Sequence, residues 1–223
     1  MKHLERDLEQ LQRHILALSA SVEDIIDKAG RALRERRMDL AEQVLGGDDE
    51  VDRNEVQIEE ECLKILALHQ PVAVDLRRVA TVIKINTDLE RIADLAANIA
   101  ERAKYLITQP EFPIPTKLER MIDIATMMVR NALDSFVNLD VRAAKNVCGL
   151  DDEVDRYNRE IIEELHQVMR QRPELIPAAM QCFSASRHVE RISDHATNIA
   201  EDVVYLVEGE IVRHHPEAAE DRG

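Results

Sequence analysis

The stretch from Leu89 to Ile107 is written twice. Leu89-Glu90-Arg91-Ile92-Ala93-Asp94-Leu95-Ala96-Ala97-Asn98-Ile99-Ala100-Glu101 recurs as Val189-Glu190-Arg191-Ile192-Ser193-Asp194-His195-Ala196-Thr197-Asn198-Ile199-Ala200-Glu201. Extended to Ile107 and Val207, the copies agree at 11 of 19 positions. Asp48-Asp49-Glu50-Val51-Asp52-Arg53 likewise recurs as Asp151-Asp152-Glu153-Val154-Asp155-Arg156. An offset of about 100 residues is too long for a solenoid period, so the chain is an internal duplication whose halves share one folding plan.

At helical spacing the repeated positions sort into two faces. Leu89, Ile92, Ala96, Ile99, Ala103 and Leu106 form an apolar stripe; Glu90, Asp94, Asn98, Glu101 and Tyr105 form a polar one. All five polar residues recur unchanged, as Glu190, Asp194, Asn198, Glu201 and Tyr205, whereas the apolar stripe drifts from Leu to Val and from Ala to Val. A face that only meets water should drift faster than a core face. The polar stripe is therefore the candidate site.

The 223 residues contain no Trp, only 3% aromatics and few Gly or Pro, a composition suited to long helices. The expected fold is all-α, two tandem three-helix bundles over residues 1–109 and 116–209, with a charged tail over 210–223. A formal net charge of −15 argues against a nucleic-acid or anionic-lipid surface and favours cations and basic protein patches as partners. No apolar run approaches the roughly 20 residues of a membrane span, and the N-terminus lacks the apolar segment of a signal peptide. A cytoplasmic location without membrane insertion is expected. Cys62, Cys148 and Cys182, odd in number and widely spaced, read as reduced packing thiols.

Leu8, Leu11, Ile15, Leu18, Val22, Ile25, Ala29 and Ala32 alternate steps of three and four, a bundle seam on a first helix ending near Arg36-Arg37. Asp39 with Glu42 resembles a capping box for a second helix, interrupted at Gly46-Gly47 and continuing to about His69. Pro71 is expected in the first turn of a third helix that ends near Thr108. Residues 109–115 hold three prolines and read as an extended linker. In the second half, Thr116 with Glu119 and then Asp140 read as caps, Pro173 as a break and Gly209 as a C-cap. The halves are expected to lie end to end.

Glu90 and Asp94 are one turn apart, as are Glu190 and Asp194, so each pair sets two like charges about 5–6 Å apart at Cβ. The next positions on the stripe, Asn98 with Glu101 and Asn198 with Glu201, offer no opposite charge. A bound cation would relieve the repulsion. Carboxylate oxygens suit Mg, Mn or Ca, and Fe or Zn where availability selects them. Asp48 with Asp52, and Asp151 with Asp155, are further turn-spaced pairs that would approach the first if the helices pack antiparallel. The same residues also fit plain solvated acidic faces with capping roles. Glu163 and His166 have the E-x-x-H spacing of di-iron bundles, but the aligned Glu60 and Leu63 supply no His, which argues against such a centre. His195 reads as a helix-packing histidine and His214-His215 as a solvated pair. With no phosphate loop, nucleophile elbow or Cys/His pairing, no enzyme is expected.

Together with Gln70-Pro71-Val72-Ala73-Val74-Asp75-Leu76-Arg77, the two signature copies resemble the PhoU family of phosphate transport system accessory proteins over essentially the whole chain. The resemblance implies two tandem three-helix bundles and metal clusters on E/D-x-x-x-D motifs. The matching positions are Glu90 with Asp94 and Glu190 with Asp194; Asp48 with Asp52 and Asp151 with Asp155 fit the same pattern. Asn98, Glu101, Asn198 and Glu201 would support the ligands from outside. The resemblance also implies a homodimer that negatively regulates the phosphate-starvation response, linking the ATPase subunit of an ABC-type phosphate importer to a sensor histidine kinase. The alternative is a metal-dependent or metal-storing carboxylate bundle. The sequence departs from the family pattern at Ala93 and Ser193, where many relatives carry Gly, and at Leu95, where the second copy has His.

Overall fold

A computed structural model describes residues 2–209, apart from the side chains of Lys2, Asp48 and Asp49; the tail 210–223, including His214 and His215, lies outside the described residues. Seven helices follow in order: α1 (Lys2–Arg34), α2 (Met38–Gly46), α3 (Asp48–His69), α4 (Ala73–Ile107), α5 (Thr116–Asn138), α6 (Val141–Gln171) and α7 (Ile176–Glu208). A single 3₁₀ turn, Pro173–Leu175, joins α6 to α7. Among the described residues there is no strand.

The buried seam of α1 runs Leu8, Leu11, Ile15, Leu18, Val22 and then Ile26, Ala29 and Ala32. Ile26 rather than Ile25 faces the core, because a straight helix turns at 3.6 residues and drifts off a 3.5-residue pattern. The second helix is interrupted at Gly47, as expected, giving α2 and α3. Two expected capping boxes do not form. The Asp39 carboxylate receives Arg37 Nε and Nη2 at 2.7 and 2.6 Å instead of capping α2, and Thr116 is already inside α5, behind Pro115. Asp140 does cap α6, its Oδ1 accepting from the amides of Arg142 and Ala143 at 2.9 and 3.0 Å. Pro71 lies before α4, whose N-cap is Val72. Gly209 ends α7 in the left-handed region at φ 77°.

The segment between the halves is pinned rather than simply extended. Arg36, itself at φ 54°, donates to the carbonyls of Leu106, Gln109 and Phe112 at 2.7, 3.2 and 2.7 Å, and the Phe112 ring is buried.

In the first half α4 packs on α1, α2 and α3; in the second α7 packs on α5 and α6. The halves lie side by side, not end to end, since the most extensive helix pairing in the molecule is α4 against α7. Cross-helix partners set its direction: Arg77 reaches the carbonyl of Leu206, Lys84 reaches Asp202, Asp88 reaches His195 and Arg102 reaches Gln181, so the helices run antiparallel. The reason is written on both helices. Beyond the apolar stripe, Ala93, Leu95 and Ala100 are buried on α4 and Ser193 and Ala200 on α7, so each has a second face to cover. One hydrophobic cluster then runs through both halves. A second crossing joins α1 to α5, where a Cβ on Gly30 would stand 2.7 Å from Ile122 Cγ2.

Candidate metal centres on the acidic helix faces

In each half the acidic positions of the duplicated motifs come from two neighbouring helices, α3 with α4 and α6 with α7. The Asn86 side-chain amide on α4 donates to the Glu55 carbonyl on α3 at 2.8 Å; in the second half Ser186 on α7 donates to Asn158 Oδ1 on α6 at 3.1 Å. These tethers hold the helix pairs in register.

In the first half Glu90 is half-buried, and lost hydration pushes its carboxyl above the usual range. Asp94 raises it further, Arg91 opposes, and Glu55 and Asp52 add smaller upward pushes. Glu55 is raised for the same reasons, by burial and then by Glu59 and Asp52. Arg91 bridges the turn-spaced pair, with Nε 3.3 Å from Glu90 and Nη1 3.5 Å from Asp94. The first cluster therefore carries its own counter-charge.

The second half is arranged differently. Glu190, whose side chain is 15% exposed, receives Arg187 at 2.7 Å on one oxygen, while its Oε2 is buried without a hydrogen-bond partner. Asp151 Oδ1 is likewise buried and unpartnered. Burial raises the Asp151 carboxyl, followed by Asp194 and Asp155, with the Ser193 hydroxyl opposing. Glu190 is raised by burial, against Arg187, with Asp155 and Asp151 adding to the rise. Asp194, on the exposed rim, is raised by lost hydration and then by Glu190 and Asp155.

Not every member of the polar stripe joins these clusters. Asn98 turns its amide back to the Asp94 carbonyl at 2.8 Å, and Glu101 lies 3.5 Å from Arg102. Glu201 acts on Cys148, and Asn198 is half-buried. Asp52 is exposed, Asp155 half-buried, and the Asp48 side chain lies outside the described residues. Glu55 emerged only with the tertiary structure, whereas Arg91 and Arg187 lie within a turn of the acids they meet. Glu55 escapes a search for repeated residues because its counterpart is Asn158, and Arg187 because its counterpart is Thr87.

Other candidates resolve simply. His195 donates its Nδ1–H to the Asp88 carboxylate at 2.8 Å across the seam, a packing histidine as expected. Glu163 and His166 are both exposed, so they do not face a bundle interior. Cys62 and Cys182 are buried and Cys148 half-buried, and burial pushes their thiols up to about 12, 12 and 11, far from thiolate chemistry.

The donor chemistry fits a hard or borderline divalent cation. All the converging groups are carboxylates, and two of their buried oxygens in the second half lack any partner. Among the described residues no three His, Cys, Asp or Glu side chains already form a closed ligand set, so loading either cluster requires side-chain rotation.

A family model described as PhoU domain matches residues 15–103 and 118–203. The phosphate-specific transport system accessory protein PhoU homolog of Aquifex aeolicus is 41% identical over 209 residues, covering 94% of this chain and 95% of that protein. The crystal structure of PhoU from Pseudomonas aeruginosa superposes with a TM-score of 0.90 at 39% identity, over 92% of this chain and 99% of that one. The phosphate transport system regulatory protein PhoU from Streptococcus pneumoniae superposes at 0.86 with 28% identity, over 94% and 99%.

Proposed function

Because the chain belongs to the PhoU family, we propose that it is a negative regulator of the phosphate-starvation response. It acts as an adaptor between the ATPase subunit of an ABC-type phosphate importer and a sensor histidine kinase, and binds metal on its acidic helix faces. It works as a homodimer at the cytoplasmic side of the membrane, held there by its partners. No described helix is long and apolar enough to cross a membrane, which is compatible with peripheral attachment. The names of the relatives support a role accessory to phosphate transport.

The observation that carries the metal part is the pair of buried carboxylate oxygens without a partner in the second half, Asp151 Oδ1 on α6 and Glu190 Oε2 on α7. Glu90, Asp94 and Asp52 would hold an ion in the first half, and Asp151, Asp155, Glu190 and Asp194 in the second. Such an ion, Mg, Mn, Fe or Zn, would supply fixed positive charge that cancels the repulsion and locks α3 to α4 and α6 to α7. Deleting the gene should leave phosphate-response genes on in phosphate-replete cells, and the full chain should restore repression. Unchanged expression in the deletion strain would count against the adaptor role. Many ions per chain by elemental analysis would instead favour a storage protein.

A further inference from the structure

The antiparallel α4/α7 pair carries a pseudo-twofold axis that exchanges positions 100 residues apart, since Asp88 meets His195 and Arg102 meets Gln181 at matching register. Lys84, Asp88, His195 and Asp202 occupy one side of the seam. Their mates across the axis are Ser184, His188, Leu95 and Arg102. The first side closes on itself: Lys84 Nζ is 3.0 Å from Asp202, whose side chain is 2% exposed, and His195 is 2.8 Å from Asp88.

The mate side has exchanged both of those acids for basic groups. Asp88 becomes His188 and Asp202 becomes Arg102, while Lys84 becomes Ser184 and His195 becomes Leu95. Arg102 is tethered by Gln181 Oε1 at 3.2 Å, yet its Nε is buried with no partner. His188 shares Nε2 with Ser184 Oγ at 3.2 Å, and its Nδ1 is also buried with no partner. Two buried nitrogens, one on each helix of the seam, are thus unfilled, while the Nη2 of Arg102 lies 3.5 Å from Glu101. Leaving a donor of a charged group buried and unpaired is costly, and a guanidinium N–H beside an imidazole N–H matches an oxyanion in hydrogen bonding.

We propose that a small free oxyanion of the phosphate or sulfate class binds at the α4/α7 seam, held by Arg102 Nε and His188 Nδ1, with Ser184 orienting the imidazole. The anion takes the place of the carboxylates that close the opposite side. It selects the tautomer in which Ser184 donates to Nε2 and Nδ1 carries the proton. The site is distinct from the acidic clusters and does not depend on the regulatory role.

The test is a titration of the full-length, histidine-labelled chain with inorganic phosphate, and separately with sulfate, followed by NMR of the imidazole resonances. Chloride at matched ionic strength is the control. The His188 resonances should shift saturably at fixed pH, while those of His195 stay in place. Arg102→Gln should weaken binding by about tenfold or more, the loss of one charge-assisted hydrogen bond. His188→Gln, checked for unchanged helix content by circular dichroism, should weaken phosphate binding measured by calorimetry. Phosphatidic acid vesicles should leave His188 unmoved. The proposal is overturned by the absence of saturation, by an equal response to chloride, by wild-type affinity in Arg102→Gln, or by a response to vesicles without one to free phosphate.

Discussion

The two acidic clusters are written with the same turn-spaced pairs, yet their charges are met differently. In the first half Arg91 lies across both Glu90 and Asp94. In the second, Glu190 takes its arginine from position 187, one turn earlier, and leaves one oxygen buried and unpartnered, as does Asp151. The duplication thus repeats the donor set, and the unrepeated neighbours decide how each set is neutralised. The second cluster stands further from electrostatic balance, which makes it the stronger candidate for a cation. An arginine that already fills the space between two carboxylates must be displaced before an ion can enter.

The largest expected difference is in metal content. Glu190→Gln with Asp194→Asn should remove the ion of the second half and leave the first, and Glu90→Gln with Asp94→Asn should do the reverse. Elemental analysis of each double variant checks this; full metal content in either would sink the cluster on that side. The wild-type protein stripped of metal should regain thermal stability on adding Mg, Mn, Fe or Zn.

Next in size is a contrast between two helical glycines. Gly30 on α1 lies against Ile122, so Gly30→Ala forces a branched side chain or a helix aside and should cost about 1–3 kcal/mol despite the better helix propensity. Gly149 on α6 is exposed and has nothing within 4 Å of an added Cβ, so Gly149→Ala should stabilise by roughly 0.5–1 kcal/mol. Denaturant midpoints that move in the same direction for both would refute this account of the α1/α5 crossing.

Asp140 and Asp39 are both expected from sequence to cap helices, but Asp39 falls inside the first turn of α2 and only Asp140 stands at an N-cap, accepting from the amides of Arg142 and Ala143. Asp140→Ala should destabilise by about 1 kcal/mol, the usual effect of losing an N-cap. Asp39→Ala gives up only an exposed pair with Arg37 and should change stability far less. Equal losses in urea melts would show that Asp39 caps in solution.

The smallest effect is in pH dependence. Asp151, Glu190 and Asp194 are held above their ordinary values of 3.8, 4.5 and 3.8, so in that range the native protein binds protons more tightly than the unfolded chain. Stability of the metal-free protein should therefore rise as pH falls through the raised values, with the gain complete below the ordinary ones. Carboxyls held low, such as Asp7 and Asp39, act in the opposite direction, so the measurement is a difference between variants. Asp151→Asn with Glu190→Gln and Asp194→Asn should flatten the curve more than Glu55→Gln with Glu90→Gln. The effect should be about 0.2–0.5 kcal/mol for each like-charge contact relieved. Identical pH profiles for the two variants would erase the asymmetry between the halves.

Much of this architecture was legible in the chain. The α-helical class, the duplication, the interruption at Gly47, the cap at Asp140 and the stop at Gly209 follow from periodicity and from residues whose backbone preferences act over a few positions. So did the paired carboxylates on one helix face, because a spacing of four residues places them there whatever the rest of the molecule does. Tertiary structure alone decided that the halves lie side by side, that Ile26 replaces Ile25 in the seam, and that Arg36 ties down the connection at Phe112. It also decided that Glu55 on α3 comes up against the Glu90 pair on α4, and that Arg102 and His188 stand where their mates across the seam are acids. Local signals are carried by neighbours in sequence. Which helix meets which, and which small residue admits a second helix, depends on partners 70 to 129 residues away, joined only when α4 and α7 bury their second faces against each other.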